Sequence, residues 1–268
     1  MALFGFIGAG NMGFPILKAA IHTFGSTEVV YTDASNQRNE FVKGETGLSC
    51  LEDNISVVRQ CKYIVLAVKP QYFSQVLHQI KEDVTEEHIV ISIAAGITIS
   101  TIKEALGDRT KIVRAMPNTP AMVYKGMTGI CFSKDAFTKE EMDLIDQFFV
   151  SFGKYEVFEE SMMNAVICAN GSSPAYVYMF IEALADSVVS YGIPRDKAYT
   201  LVAQTVLGAA AMVLETGEHP GKLKDNVCSP GGTTIAAVKA LEQYGLRNAI
   251  MKASDACFDK AVALTHNK

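Results

Sequence analysis

Six residues near the start of the chain, Gly8-Ala9-Gly10-Asn11-Met12-Gly13, leave few folds open. They follow a strand-like apolar run, Leu3 to Ile7, and lead into a helical pattern, Met12 to Phe24. In that strand–turn–helix setting the three glycines have separate uses. Gly8 permits a tight turn, Gly10 lets the backbone approach a pyrophosphate, and Gly13 lets helix and strand pack closely. The helix start then offers free N–H groups to phosphate. The competing reading is a tight turn with no ligand.

The first half of the chain repeats the strand–helix theme. Strand-like runs fall at Glu28–Thr32, Tyr63–Val68, His88–Ile93 and Lys111–Ala115. Helical patterns intervene at Asn36–Lys43, Asn54–Gln60, Gln71–Ile80 and Ile99–Leu106. The strand runs are apolar without alternation, as in strands buried on both faces, so a parallel sheet with helices on both sides is expected. Two more strands, Met127–Phe132 and Tyr155–Phe158, flank a helix at Lys139–Phe152. From Ser161 onward the pattern is helical. Ala175–Ser190 and Asp196–Glu215 are apolar on nearly every side, with Gly192-Ile193-Pro194 between them. Helices of that kind need cover on several faces, which points to packing against a second copy. The expected domains are residues 1–160 and 161–268.

Composition excludes several classes. Hydrophobic residues make up 49% and charged residues 20%, which suits a packed core rather than disorder. The net charge of −5 argues against a nucleic-acid partner. Each apolar run is interrupted by a charge, Gly or Pro, so no membrane partner is expected. The N-terminus lacks a basic leader, and a soluble cytoplasmic protein is the expectation. The six cysteines form no C-x-x-C pair and read as reduced thiols, and the five histidines show no ligand spacing, so no metal is expected.

Asp33 stands at the end of the second strand, where an acid can accept hydrogen bonds from the adenosine ribose and favour NAD. Ser35, Asn36 and Arg38 follow, and an arginine there can accommodate a 2′-phosphate. Both signals are present; Arg38 is equally readable as a solvated helix charge. Far along the chain, Ser229-Pro230-Gly231-Gly232-Thr233-Thr234 opens another helix. Its backbone N–H groups from Gly231 to Thr234 and its two hydroxyls suit a small carboxylate. Its other reading is an ordinary helix start capped by Thr233 or Thr234.

These segments, with Ala67-Val-Lys-Pro70, Ser92-Ile-Ala-Ala-Gly-Ile97, Arg114-Ala-Met-Pro-Asn-Thr-Pro-Ala121, Gly171-Ser-Ser-Pro-Ala-Tyr176 and His219 through Thr234, run nearly end to end along a family pattern. The chain resembles the pyrroline-5-carboxylate reductases. One departure is Ser173, where the family usually has glycine. The resemblance implies an α/β Rossmann-type parallel sheet domain followed by an all-α domain for substrate binding and dimerisation. It implies reduction of 1-pyrroline-5-carboxylate to L-proline, the last step of proline biosynthesis, with NADP, or NAD given Asp33. It implies a homodimer, or a larger assembly of dimers, with each active site built from two chains.

Cofactor contacts implied by the resemblance are Ile7, Gly8, Ala9, Gly10, Asn11 and Met12, then Asp33 and Ala34 after the second strand. Asn54, Ala67, Val68, Lys69 and Pro70, the stretch Ile93, Ala94 and Ala95, and Asn226 complete them. Gly231, Gly232, Thr233 and Thr234 would bind the substrate, with Thr234 holding the imine nitrogen as the catalytic residue. Lys69 is also readable as a helix-leading charge. Cys228 and His219 have no partner that would make either one catalytic. The alternatives are a related imine or β-hydroxyacid reductase, or a non-catalytic dinucleotide-binding relative. Residues 161–190 contain no lysine, which counts against the β-hydroxyacid reading.

Overall fold

The computed structural model describes residues 2–266. The elements in chain order are β1 (Ala2–Ile7), α1 (Gly13–Phe24), β2 (Val29–Thr32), α2 (Asn36–Thr46), α3 (Asn54–Val58), β3 (Cys61–Leu66), α4 (Pro70–Ile80), β4 (Ile89–Ser92), α5 (Ile99–Leu106), β5 (Lys111–Met116), β6 (Gly126–Phe132), α6 (Lys139–Val150) and β7 (Gly153–Val157). After them come α7 (Met163–Val166), α8 (Ser173–Ser190), α9 (Arg195–Thr216), α10 (Pro220–Val227), α11 (Thr233–Gln243) and α12 (Leu246–His266).

The strands form one sheet in the order β2-β1-β3-β4-β5-β6-β7. Side chains alternate across it as the pleat requires. Phe4, Phe6, Tyr63, Val65, Ile89 and Ile91 face a core closed by α1 and α6. Ile7, Ile64, Leu66 and Val90 face a second core closed by α3, α4 and α5. Both faces are dry, which is why the strand sequences lack alternation. All pairings are parallel except β5 with β6. The link between those two holds only the short 3-10 turn Thr119–Val123, and a parallel return needs a longer crossover. β3 ends at Leu66 rather than at Val68. Ala67 N–H still bonds the Ile7 carbonyl at 2.9 Å, and the chain then leaves the sheet.

The chain packs as two compact units: residues up to Ser172 with those from Cys257, and residues 173–256. The stretch 161–172, expected with the helical domain, packs with the sheet. Met163 and Val166 are buried in the second core. Asn170 Nδ2 donates to the carbonyls of Met116 (2.7 Å) and Met127 (2.9 Å), and its own carbonyl accepts from Asn118 (3.1 Å). The end of α12 joins this unit, with Thr265 Oγ1 3.3 Å from Asn164 Oδ1.

In the second unit, α8 and α9 pair around a small core of Ala185, Ala198 and Val202. Most of their apolar side chains are exposed, among them Met179, Leu207 and Leu214. One sequence expectation needs correction here. α9 has 22 residues and is, by length and composition, long and apolar enough to cross a membrane. Its charges stand at the ends, Arg195, Asp196, Lys197 and Glu215, and Gly208 lies in an uninterrupted helix, so neither breaks the apolar stretch.

Candidate active site

β1 connects to β2 on one side and the chain returns to β3 on the other. The carboxyl ends of these strands therefore part at a switch point, where ligands bind in open α/β sheets. A cleft of about 880 Å³ lies there, lined by Ile7 and Gly8 at the end of β1, Thr32 to Ser35 at the end of β2, and Ala67 to Lys69 after β3. The other wall is the start of α3 and one face of α4.

The glycine loop has the geometry its sequence implies. Gly8 has φ +96°, and a Cβ there would lie 2.8 Å from the Ala67 carbonyl oxygen. A Cβ on Gly13 would come within 2.5 Å of the Gly8 carbonyl oxygen and 2.9 Å of Ala67 Cβ, so this glycine is what lets α1 approach the sheet. A Cβ on Gly10 would meet nothing within 4 Å. The backbone at Gly10 faces open space, the room a pyrophosphate requires. The helix start agrees. Side chains of Ser35, Asp53, Thr98 and Thr138 cap α2, α3, α5 and α6, but no side chain caps α1. Phe14 N–H already bonds the Gly10 carbonyl at 3.0 Å and Pro15 has no N–H, so Gly13 supplies the first-turn N–H left for an anion. A dinucleotide phosphate fits this cradle.

Asp33 and Arg38 sit beside the loop. Asp33 Oδ2 accepts from Ala9 N–H (2.8 Å) and Oδ1 from Ser35 N–H (2.9 Å). Arg38 donates through Nε to the Ala9 carbonyl and through Nη2 to the Gly10 carbonyl (2.9 Å). Its guanidinium lies 5.2 Å from the Phe14 ring centroid and 4.9 Å from that of Phe41. It is not a solvated helix charge.

Of the sequence-derived cofactor residues, Ile7, Gly8, Gly10, Asp33, Ala34, Asn54, Ala67, Val68 and Lys69 line the cleft. Asn54 Nδ2 donates to Gln79 Oε1 at 2.6 Å, joining α3 to α4 within one wall. Ala9, Asn11, Met12 and Pro70 do not line it. Ala9 is fully buried and serves through its backbone, and Pro70 is the first residue of α4. Ile93, Ala94 and Ala95 continue along the same sheet edge beyond β4, with Ile93 N–H on the Leu66 carbonyl at 3.2 Å. The sequence reading missed Glu52 and Asp53 before α3, and Tyr72, Gln75, Val76 and Gln79 on α4. The α4 residues have the spacing of one helix face, which is the signal that would have found them.

Asn226 and the second glycine loop belong to the other unit. Asn226 is exposed on α10, whose start His219 caps by accepting from Gly221 N–H at 3.0 Å. The capped-start reading of the second loop does not hold. The N-cap of α11 is Gly232, with no side-chain hydrogen bond, and Thr233 and Thr234 are the first two helical residues. The N–H groups of the first turn and both hydroxyls stay free of a capping role. Cys228 is half-buried beside this loop, while burial pushes the thiols of Cys61 to about 12 and of Cys131 to about 11, leaving those two unreactive.

The comparisons with known proteins agree along the whole chain. The family model for pyrroline-5-carboxylate reductase dimerisation matches residues 160–264, and that for NADP oxidoreductase, coenzyme F420-dependent, matches residues 3–96. The pyrroline-5-carboxylate reductase of Escherichia coli (strain K12) is 45% identical over 267 residues, 97% of each chain. A solved pyrroline-5-carboxylate reductase from Coxiella burnetii superposes with a TM-score of 0.90 at 34% identity, covering 99% of both chains. The Plasmodium falciparum pyrroline carboxylate reductase with NADP bound superposes at 0.88 and 32% identity, covering 98% of both. Relatedness at this identity and coverage, joined to a glycine cradle at the switch point of the sheet, makes this chain a member of the pyrroline-5-carboxylate reductase family.

Proposed function

We propose that this protein reduces 1-pyrroline-5-carboxylate to L-proline, the closing step of proline biosynthesis. The observation that carries the reading is the uncapped glycine loop facing the cleft, in a chain 45% identical over 97% of its length to a reductase of that name. The reductant is a reduced nicotinamide dinucleotide. NADP is supported by the matched oxidoreductase family and by the NADP-bound relative, and Asp33 admits NAD.

When bound, the dinucleotide supplies a hydride to the imine carbon. The protein's task is placement and management of charge. Gly8 to Met12 hold the pyrophosphate against the start of α1, and Ala67 to Pro70 and Ile93 to Ala95 border the path along the sheet edge. The N–H groups of Gly231, Thr233 and Thr234 grip the ring carboxylate, that of Gly232 being taken by the Ser229 carbonyl at 3.0 Å. The Thr234 hydroxyl holds the imine nitrogen and orients the ring. A threonine hydroxyl does not ionise near neutral pH, so Thr234 positions a protonated imine or relays a proton rather than acting as a general acid. Asn226 borders the nicotinamide end. The active chain is a homodimer in which the second glycine loop of one copy faces the cleft of another. It is a soluble cytoplasmic assembly, with the apolar faces of α8 and α9 turned to the partner rather than to lipid; the dimerisation-family match over 160–264 supports that choice.

Thr234→Ala tests the assignment. Loss of an orienting hydrogen bond is expected to lower kcat about tenfold to a thousandfold, with the cofactor dissociation constant little changed. Stopped-flow oxidation of the reduced dinucleotide with pyrroline-5-carboxylate reads both. Unchanged kcat would remove Thr234 from the mechanism.

A further inference from the structure

We propose that the adenosine end of the cleft selects NADH over NADPH: Asp33 presents an anchored carboxylate to the ribose while Arg38 is committed to the glycine loop. The inference rests on reading the cleft as a dinucleotide site. The sequence alone carries two opposed signals, an acid at the end of β2 and an arginine early in α2. The geometry separates their roles.

Asp33 is fixed from two sides, by Ala9 N–H at 2.8 Å and Ser35 N–H at 2.9 Å, and it lines the cleft. Each carboxylate oxygen has a second acceptor direction, enough for a ribose diol. Those directions have no use for a phosphate, which brings acceptors and negative charge of its own. Two further acids, Glu52 and Asp53, line the same cleft. Asp53 is the N-cap of α3, accepting from Ser56 N–H at 2.7 Å, and hydrogen bonding from the Ser56 side chain and then its backbone holds the carboxyl below the usual range. Among the described residues lining the cleft, Lys69 is the one basic side chain. A 2′-phosphate would therefore enter a set of like charges, an arrangement that discriminates strongly against the wrong ligand.

Arg38 is the residue that could reverse this balance. Its Nε and Nη2 donate to the carbonyls of Ala9 and Gly10, and its guanidinium packs beside the edge-to-face ring pair of Phe14 and Phe41, whose centroids are 4.9 Å apart. The carbonyls it holds belong to the loop whose Ala9 N–H holds Asp33. Arg38 thus acts through the loop, as a positioning residue that serves both dinucleotides alike.

The test is equilibrium binding of NADH and of NADPH, each measured by titration calorimetry without imine, then kcat/KM with each. The wild-type protein is expected to bind NADH about tenfold tighter or more. Asp33→Ser is expected to weaken NADH, strengthen NADPH and collapse the ratio toward one. Arg38→Gln is expected to weaken both by a common factor and leave the ratio intact. Tighter wild-type binding of NADPH overturns the proposal, as does an Arg38→Gln that loses NADPH alone, since that would make Arg38 a phosphate ligand. If Asp33→Ser does not fold, the wild-type ratio and Arg38→Gln still decide. Absence of binding by either dinucleotide would instead overturn the reading of the cleft itself.

Discussion

Gly10 and Gly13 stand three residues apart and have opposite tolerances. A methyl on Gly13 has a rigid carbonyl 2.5 Å away and a backbone-anchored methyl at 2.9 Å, so α1 must move off the sheet to admit it. Overpacking of that kind costs about 1–3 kcal/mol. A methyl on Gly10 meets no protein atom within 4 Å and points where the pyrophosphate is proposed to lie. Gly13→Ala is therefore expected to lower the thermal midpoint by several degrees. Gly10→Ala is expected to leave the midpoint unchanged while raising the dinucleotide dissociation constant. Differential scanning fluorimetry with and without cofactor separates the two. The same melting loss in both variants would mean that Gly10 is structural. The spacing of these glycines was readable in the sequence. The commitments of Arg38 were not, because its partners Ala9 and Gly10 lie 29 and 28 residues away and only the closed fold brings them within reach.

At the level of elements, α6 is joined to the sheet through its first turn. Thr138 and Glu141 form a reciprocal capping box, with Thr138 Oγ1 accepting from Glu141 N–H and Glu141 Oε2 accepting from Thr138 N–H. The same carboxylate takes Lys111 of β5 at 2.7 Å and Lys62 of β3 at 3.0 Å, with its side chain 5% exposed. Burial works to raise its pKa, but the hydrogen bonds from Lys111, Thr138 N–H and Lys62 outweigh burial and hold it at about 2 against an ordinary 4.5. A carboxyl held below its unfolded value stabilises the fold fully above that value. The contribution fades as the pH falls from about 4.5 towards 2. Both lysines retain solvent contact, so about 1–3 kcal/mol is at stake. Glu141→Gln is expected to lose that amount at pH 7 and much less at pH 3, read by urea unfolding at both. An equal loss at the two pH values would assign the effect to packing alone. Strand positions were legible from apolar runs because those runs record burial on both faces. Strand direction at β6 was not, because a run of buried residues reads the same either way. Nor was the docking of 161–172, which Asn170 fixes through Met116 and Met127, 54 and 43 residues away.

For the whole molecule, the unit formed by residues 173–256 lacks an interior of its own size. In α8 only Ala185 is buried, and in α9 only Ala198 and Val202. Met179, Leu207, Met212 and Leu214 are exposed, in helices whose sequence is apolar on nearly every side. That imbalance was visible in the sequence, since a helix without a polar face declares its need for cover but not what covers it. A bilayer and a second copy make different demands. A membrane span leaves its ends to the headgroups and asks nothing of its neighbours. An obligate dimer buries about 2,000–5,000 Å² and resembles a divided core. The match of residues 160–264 to a dimerisation family favours the second copy. Leu207→Asp with Leu214→Asp would place charges inside such an interface, where unpaired burial costs several kcal/mol. Sedimentation velocity is expected to give a dimer, or a multiple of it, for the wild-type protein and a monomer for the double variant. Turnover should fall with the dimer, because the proposed active site takes its second glycine loop from the partner, while dinucleotide binding by the sheet unit persists. A wild-type protein that is monomeric at micromolar concentration, or that floats with lipid vesicles, would show that the exposed helices serve another surface.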